Sequence, residues 1–484
     1  MANLVVDTTC GKVKGERING VSVWKGIPYA KPPIGELRFR PPEEPVPWPG
    51  IREATRFGPI AMQPDSPNSA GQAKSEDCLY LNVWSPDADD RRRPVMVWLH
   101  GGAFAFGSGS ESMYDGTSFA LAGDVVVVTL NYRLGAFGFL YLGESGLDRY
   151  AVSGNCGLLD QIAALRWVRD NIQSFGGDPH QVTVFGESAG AISILNLLVM
   201  PEAKGLFHRA IIESPSRAAM EAEQAAANAR SLLNALNVRM DDIGKLVQLP
   251  AEVLLKASTA FPQMSFSPVA DGITIPERAD TAIPKGAAKS IPVLIGSNQE
   301  EYRFFTGMDP SSRQWGEKEI SARLEQMFGP GFLRLFPSQK PDLDLYNRIM
   351  SYFLFIFPTI KYAEALASHE PVWMYQFRFK HPALGACHAF ELPFVWNRTN
   401  RQEGGLFRIE TEEGRELADR MHHAWIAFAR AGNPNTPKLP AWPKFDVNQR
   451  AVMVLDSDCR IEADPFPDRR IWESIFQQMG LRKN

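Results

Sequence analysis

The sequence predicts an α/β protein built on a large, mostly parallel central sheet with helices on both faces. Three observations lead there. Residues 94–99 (PVMVWL), 124–130 (DVVVVTL), 182–185 (VTVF) and 291–296 (IPVLIG) form short, nearly all-apolar runs, the composition of strands covered on both sides. Between two of them Leu158, Ile162, Leu165, Val168 and Ile172 recur at helical spacing, and Gly176-Gly177 supplies a stop. Strands alternating with helices need crossover connections, and crossovers give parallel pairing.

The 484 residues, 44% of them hydrophobic and 22% charged, provide ample apolar surface for a large core. We read residues 1–484 as one domain, with helical insertions around a binding site at 217–260. The proline-rich stretch 28–49 lies among Trp24, Phe39 and Trp48, too aromatic for a free linker, so it reads as an ordered surface loop. Counts of 51 basic and 55 acidic residues give a net charge of -4 without any basic stripe, which argues against a nucleic-acid partner. Apolar runs at 125–130 and 192–200 are far too short to span a membrane, so no membrane partner is expected. The N-terminus lacks a basic region followed by an apolar block. Five scattered cysteines have no metal-ligand spacing and fit a reducing, cytoplasmic setting better than a disulfide scaffold. No metal and no cofactor are expected.

Residues 182–190 (VTVFGESAG) set G-x-S-x-G between a strand and the helical run 191–198. A serine on such a tight turn is pushed out above the sheet edge, and the helix beyond offers unpaired N–H groups to an anion forming there. Ser188 is the candidate nucleophile. A second glycine cluster, 100–107 (HGGAFAFG), follows an earlier strand and resembles a loop that donates backbone N–H groups to an oxyanion; no Gly-Lys-Ser/Thr follows to make it a phosphate loop.

In hydrolases built on such a sheet the chain order runs nucleophile, acid, base. His100 and His180 precede Ser188, and His208 follows it too closely. His369 stands at the wrong end of a strand at 372–379, while His422 and His423 belong to an amphipathic helix at 417–428. His381 and His388 both follow that strand, and residue chemistry alone does not separate them. Glu300 and Glu301, just beyond the strand at 291–296, are equally matched as the acid. Asp271 reads as a turn residue.

Six segments taken together resemble type-B carboxylesterases: 76–84 (EDCLYLNVW), 100–107, 131–133 (NYR), 154–161 (GNCGLLDQ), 175–179 (FGGDP) and 186–190. The likeness runs from Gly11 through Trp442, and residues 372–375 and 386–395 (ACHAFELPFV) look most like the bacterial p-nitrobenzyl esterase branch of that family. The resemblance implies an α/β-hydrolase fold and a triad of Ser188, Glu301 and His388. It assigns the oxyanion-hole donors to the N–H groups of Gly102, Ala103 and Ala189. It further implies hydrolysis of short-to-medium acyl, aryl or benzyl esters through an acyl-enzyme, with a small-molecule ester as partner; a monomer is expected. A long-chain lipase and a non-catalytic, neuroligin-like binding protein are the alternatives, the second disfavoured because all three triad residues are present.

Phe104 and Met264 are candidate substrate contacts. Residues 61–77 contain no aromatic side chain, which disfavours a quaternary ammonium substrate. Three positions depart from the family pattern: Tyr302 stands for a glycine after the acid, Pro215 for a glycine after Ser214, and Cys78 lacks a cysteine partner in 57–63. Cys387, beside His388, is expected to make the site sensitive to bulky thiol reagents.

Overall fold

Apolar residues dominate both faces of the predicted strands, so the chain has two layers of side chains to bury and needs helices above and below. The computed structural model describes residues 4–337, 339–398, 407–409 and 411–478. Among the described residues the main sheet has eleven strands. A contiguous parallel block runs from Ala451–Leu455 through Val372–Phe377, Val293–Asn298, Arg209–Glu213, Gly177–Glu187 and Arg93–Leu99 to Val126–Leu130. Antiparallel strands flank the block at both edges.

The pleat explains the continuous apolar runs. In Val126–Leu130, Val126, Val128 and Leu130 join one core cluster while Val127 joins the other, across the sheet. Val95, Val97 and Leu99 likewise face one side, with Met96 and Trp98 on the opposite side. Each such buried aliphatic side chain is worth about 1.5–3 kcal/mol relative to exposure. The helical spacing noted above becomes the helix Cys156–Asn171, with a short turn after it that Gly176 ends at φ 83°. Residues 217–260 carry the helices Ala222–Ala235, Ile243–Gln248 and Ala251–Ser258. The stretch 28–49 holds only one short helical turn, Gly35–Leu37, and is anchored by the fully buried Phe39. The helices Leu343–Ser351 and Phe357–Ala367, joined into one run, are long and apolar enough to cross a membrane, yet 67% of the run's most apolar 18-residue stretch is buried inside the protein.

The segment Asn131-Tyr132-Arg133 fixes loops at the sheet edge. Asn131 Oδ1 accepts the Gly109 N–H, and the Tyr132 hydroxyl donates to the His100 carbonyl at 2.8 Å. Arg133 reaches Asp160 on the helix Cys156–Asn171 through Nε at 2.8 Å and Nη2 at 2.7 Å, and its own N–H donates there too. Both side chains are buried. Removing one member of a buried pair leaves the other uncompensated, at about 3–5 kcal/mol. Asp160→Ala should therefore lower the thermal midpoint steeply, read by calorimetry; an unchanged midpoint would refute the structural role of the pair.

Candidate active site

Parallel strands deliver their C-terminal ends to one edge, and the sheet order sets which loops meet there. The Ser188 strand lies between Arg93–Leu99 and Arg209–Glu213, with Val293–Asn298 and Val372–Phe377 next in line. The loops holding the glycine cluster, Ser188, Ser214, Glu301 and His388 consequently leave the sheet side by side.

Ser188 caps the helix Ala189–Leu197 at φ 55° and ψ -118°, a strained turn for a side chain with a Cβ. Its N–H donates to the Glu213 carbonyl and its carbonyl accepts from Ile192 N, which holds the turn from both ends. A Cβ added at Gly190 would lie 1.9 Å from the Leu99 carbonyl oxygen, so the turn closes only on glycine. The glycine cluster passes just as near: a Cβ at Gly101 would stand 3.3 Å from Ser188 Cβ. Gly102, Ala103 and Phe104 follow in sequence at φ 106°, 53° and 56°. Among the described residues the N–H groups of Gly102, Ala103 and Ala189 have no intramolecular acceptor.

The structure brings Glu301 and His388 together. The His388 Nδ1–H donates to Glu301 Oε2 at 2.6 Å, and the backbone N–H of His388 donates to the Glu301 carbonyl. Glu301 Oε1 accepts from Ser214 Oγ at 2.6 Å and from Asn298 N at 2.7 Å. Three donors thus face a fully buried side chain, the surroundings an acceptor-only carboxylate requires. Glu300 instead accepts the Ala386 N–H and pairs with Arg303 at 2.9 Å. His381 Nδ1 accepts N–H groups of Ala383 and Leu384, and so organises a turn. His422, fully buried, holds the Val395 carbonyl from within its helix, and Asp271 accepts the N–H groups of Ile273, Thr274 and Ile275 in a turn.

His388 Nε2 points to the Ser188 turn but stands 3.1 Å from Glu187 Oε1, the residue before the serine. The Ser188 hydroxyl, half-buried, forms no hydrogen bond among the described residues. Catalytic contacts commonly tighten only when substrate is bound.

The departures from the family pattern have local explanations. Tyr302 sits at φ -75°, so its position needs no glycine, and its N–H donates to Ser351 Oγ while its ring packs on Phe305 and Tyr346. Ser214, at φ 52°, keeps its contact to Glu301 although Pro215 follows. Phe104 is fully buried against Phe139, a core position, and Met264, at φ 66°, is half-buried against the core. Burial also pushes the Cys387 thiol up and leaves it no exposed surface, which works against the expected thiol sensitivity. All five cysteines are free.

Two features escaped the sequence reading. Phe304, Phe305 and Phe355 surround the His388 ring at centroid distances of 6.4, 5.4 and 4.5 Å. The second feature is a row of polar side chains under the site. In register across adjacent strands stand Glu187, Glu213, Gly296 and Tyr375, and the absent side chain at Gly296 makes room for the Tyr375 ring. Glu391 joins them, held by Asn298 Nδ2, which also donates to the Cys387 carbonyl. Glu213 Oε1 accepts the Trp425 indole N–H at 2.8 Å. Burial raises the pKa of Glu187 and Glu391 well above the carboxylate range, and that of Glu213 to about 8. No periodic signal marks Glu187 and Glu213, because their strand neighbours are apolar on both faces, and Glu391 stands outside the strands, before the short helix Leu392–Val395.

Comparison with known proteins gives a consistent result. The sequence model of the carboxylesterase family matches residues 2–467. The para-nitrobenzyl esterase of Bacillus subtilis is 44% identical, covering 99% of this chain and 100% of that protein. The fumonisin B1 esterase of Sphingopyxis macrogoltabida is 37% identical over 92% of this chain and 85% of its own length. The crystal structure of a Geobacillus stearothermophilus carboxylesterase superposes with a TM-score of 0.90 at 46% identity, covering 97% of this chain and 99% of that one.

Two outcomes are expected from this geometry. Gly190→Ala forces a methyl against main chain and should cost about 3 kcal/mol, the upper end for an inserted methyl; a thermal midpoint equal to the parent's would contradict the close approach. For Glu213 the unfolded chain loses its proton near pH 4 while the native state keeps it to about 8. The native state then binds more protons, so this contribution is full below the unfolded value and is lost as pH rises through about 8. Glu213→Gln keeps the shape without titrating, so its thermal midpoint should gain on the parent's from pH 5 to pH 9. A pH-independent difference would show that Glu213 does not titrate in this way.

Proposed function

Since the chain belongs to the carboxylesterase family, and is accordingly an enzyme that hydrolyses carboxylic esters, we propose that Ser188, His388 and Glu301 act as its nucleophile, base and orienting acid. The contact that carries this reading is the 2.6 Å hydrogen bond from His388 Nδ1 to the buried Glu301, which leaves Nε2 facing the Ser188 turn. With Nδ1 committed as donor, neutral imidazole presents Nε2 as the acceptor. His388 takes the Ser188 proton as the hydroxyl attacks the ester carbonyl, and the N–H groups of Gly102, Ala103 and Ala189 receive the oxyanion. The tetrahedral intermediate collapses, His388 protonates the departing alcohol, and water then releases the acid from the acyl-enzyme by the reverse proton path. Each proton moves between side chain and substrate, so the cycle calls for no cofactor.

The substrates are small aryl or benzyl esters with short-to-medium acyl groups. Likeness to the para-nitrobenzyl esterase supports this class, and the half-buried Phe304 and Phe305 beside His388 supply an apolar aromatic wall. Residues 1–484 act as a single unit in this reading, monomeric and cytoplasmic; the free cysteines are consistent with a reducing compartment.

Ser188→Ala should lower kcat/KM for p-nitrobenzyl acetate by a factor on the order of 10³ or more, with KM little changed. Across p-nitrophenyl esters of rising acyl length the rate should peak at short-to-medium chains. Retained activity in Ser188→Ala would refute the nucleophile, and a maximum at long chains would refute the substrate class.

A further inference from the structure

The run Tyr352-Phe-Leu-Phe-Ile-Phe-Pro358 lies inside the long helical stretch, where periodic aromatic residues ordinarily mean core packing. Its geometry is not that of a continuous α-helix. Pro358 has no N–H to give the carbonyl four residues back, and its ring clashes with that carbonyl. The helix answers with a wider, π-helical turn over Tyr352–Ile356, in which Phe357 N donates to the Tyr352 carbonyl five residues back. Thr359 Oγ1 donates to the Phe355 carbonyl at 2.8 Å, giving that oxygen a partner.

This turn packs on the base, and the residue before it holds the neighbour of the acid. Ser351, just before it, accepts the N–H of Tyr302, the residue after Glu301, at 2.9 Å and donates to the Asn347 carbonyl at 2.6 Å. Four residues later the Phe355 ring packs on the His388 imidazole, with centroids 4.5 Å apart and planes inclined by 40°. Phe305 completes a cluster of three rings, 5.8 Å from Phe355 with planes at 12° and 5.4 Å from the His388 ring. Phe355 is 7% and His388 5% exposed, so water has little access to their shared surface.

We infer that Phe355, carried by the π-helical turn, is a positioning residue for ester hydrolysis that fixes the His388 ring and stabilises it once protonated. The inference rests on the reading of His388 as the base. The imidazole becomes a cation only after it has taken the serine proton, and the ring quadrupole of Phe355 attracts that cation while being nearly indifferent to the neutral ring. A contact that strengthens along the reaction acts on kcat and leaves substrate binding largely alone. The role differs from that of a pocket wall, whose loss appears in KM.

The test compares Phe355→Leu and Phe355→Tyr in the full-length enzyme, with p-nitrophenyl acetate as substrate and the thermal midpoint recorded for each. Phe355→Leu is expected to lower kcat about tenfold with KM within about twofold, and Phe355→Tyr, which keeps the π face, to recover to within about threefold of the parent. If the leucine variant does not fold, Phe355→Met makes the same comparison. A leucine or methionine variant with parental kcat, a tyrosine variant as impaired as they are, or a loss confined to KM would each overturn the inference. Ser188→Ala and His388→Ala are measured alongside. Activity retained in both would refute the triad and the inference with it, whereas their inactivity leaves the Phe355 series to decide.

Discussion

A carboxylate taken wholly out of water must find donors for its oxygens, and that demand on Glu301 organises this end of the molecule. Its three donors come from separate parts of the chain: Ser214 after one strand, Asn298 at the end of the next, and His388 from the loop beyond a third. None is interchangeable with a water, because the side chain is fully buried. Meeting the demand brings together loops that are far apart in sequence, the closing contact spanning 87 residues. The neighbouring acids are treated differently. Glu213 and Glu391 each keep an oxygen with no hydrogen-bond partner among the described residues, Glu187 Oε1 lies 3.1 Å from His388 Nε2, and burial favours the protonated forms of all three. Of these four acids Glu301 alone holds Nδ1 of the imidazole, and Glu187 lies on the Nε2 side.

Much of this was legible from the sequence for a physical reason. A parallel sheet covered on both faces needs unbroken apolar strands, and the predicted runs lie within or overlap Arg93–Leu99, Val126–Leu130, Gly177–Glu187 and Val293–Asn298. The strand–turn–helix around Ser188 is a local device, readable from adjacent residues. The choices between Glu300 and Glu301 and between His381 and His388 are not local. Each pair occupies the same loop, and only contacts across the site distinguish them. In the folded chain Glu300 meets Arg303 and the Ala386 N–H, whereas Glu301 meets His388. Phe355 was invisible because an aromatic residue at helical spacing looks the same whether it faces core or imidazole. Phe104 illustrates the converse: it lies in the glycine cluster, yet its positive φ turns the ring into the core.

The elbow and the glycine cluster show how the sheet sustains strain. Ser188, Ala103 and Phe104 all hold left-handed backbone at a cost on the order of 1 kcal/mol each or more. Such conformations persist when their surroundings allow nothing else. Leu99 and Gly186 are register partners in adjacent strands, so the two loops leave the sheet already in contact. Gly190 then packs on the Leu99 carbonyl, and the Tyr132 hydroxyl holds the His100 carbonyl from below. The buried Arg133–Asp160 pair ties that support to the helix Cys156–Asn171. Residues that look like an unrelated motif some thirty positions downstream therefore serve the loop where an oxyanion would form.

The acid row gives the same lesson in energetic terms. Uncompensated carboxyl groups at the ends of adjacent strands lower stability wherever the unfolded chain would ionise them, and a hydrophobic row there would make a firmer sheet. Yet Glu213 does more than its side chain suggests. Its carbonyl holds the Ser188 N–H, its carboxyl accepts from Trp425 on the helix Glu412–Ala431, and Ser214 after it reaches Glu301. The residue thus links the nucleophile turn, a covering helix and the acid within two positions of chain. An apolar side chain would keep the backbone contact but lose the anchor to Trp425, leaving a buried indole N–H unpaired. Stability forgone in the row is therefore coupled to the placement of Ser188 relative to Glu301, and a large two-faced core is what lets the fold tolerate that loss.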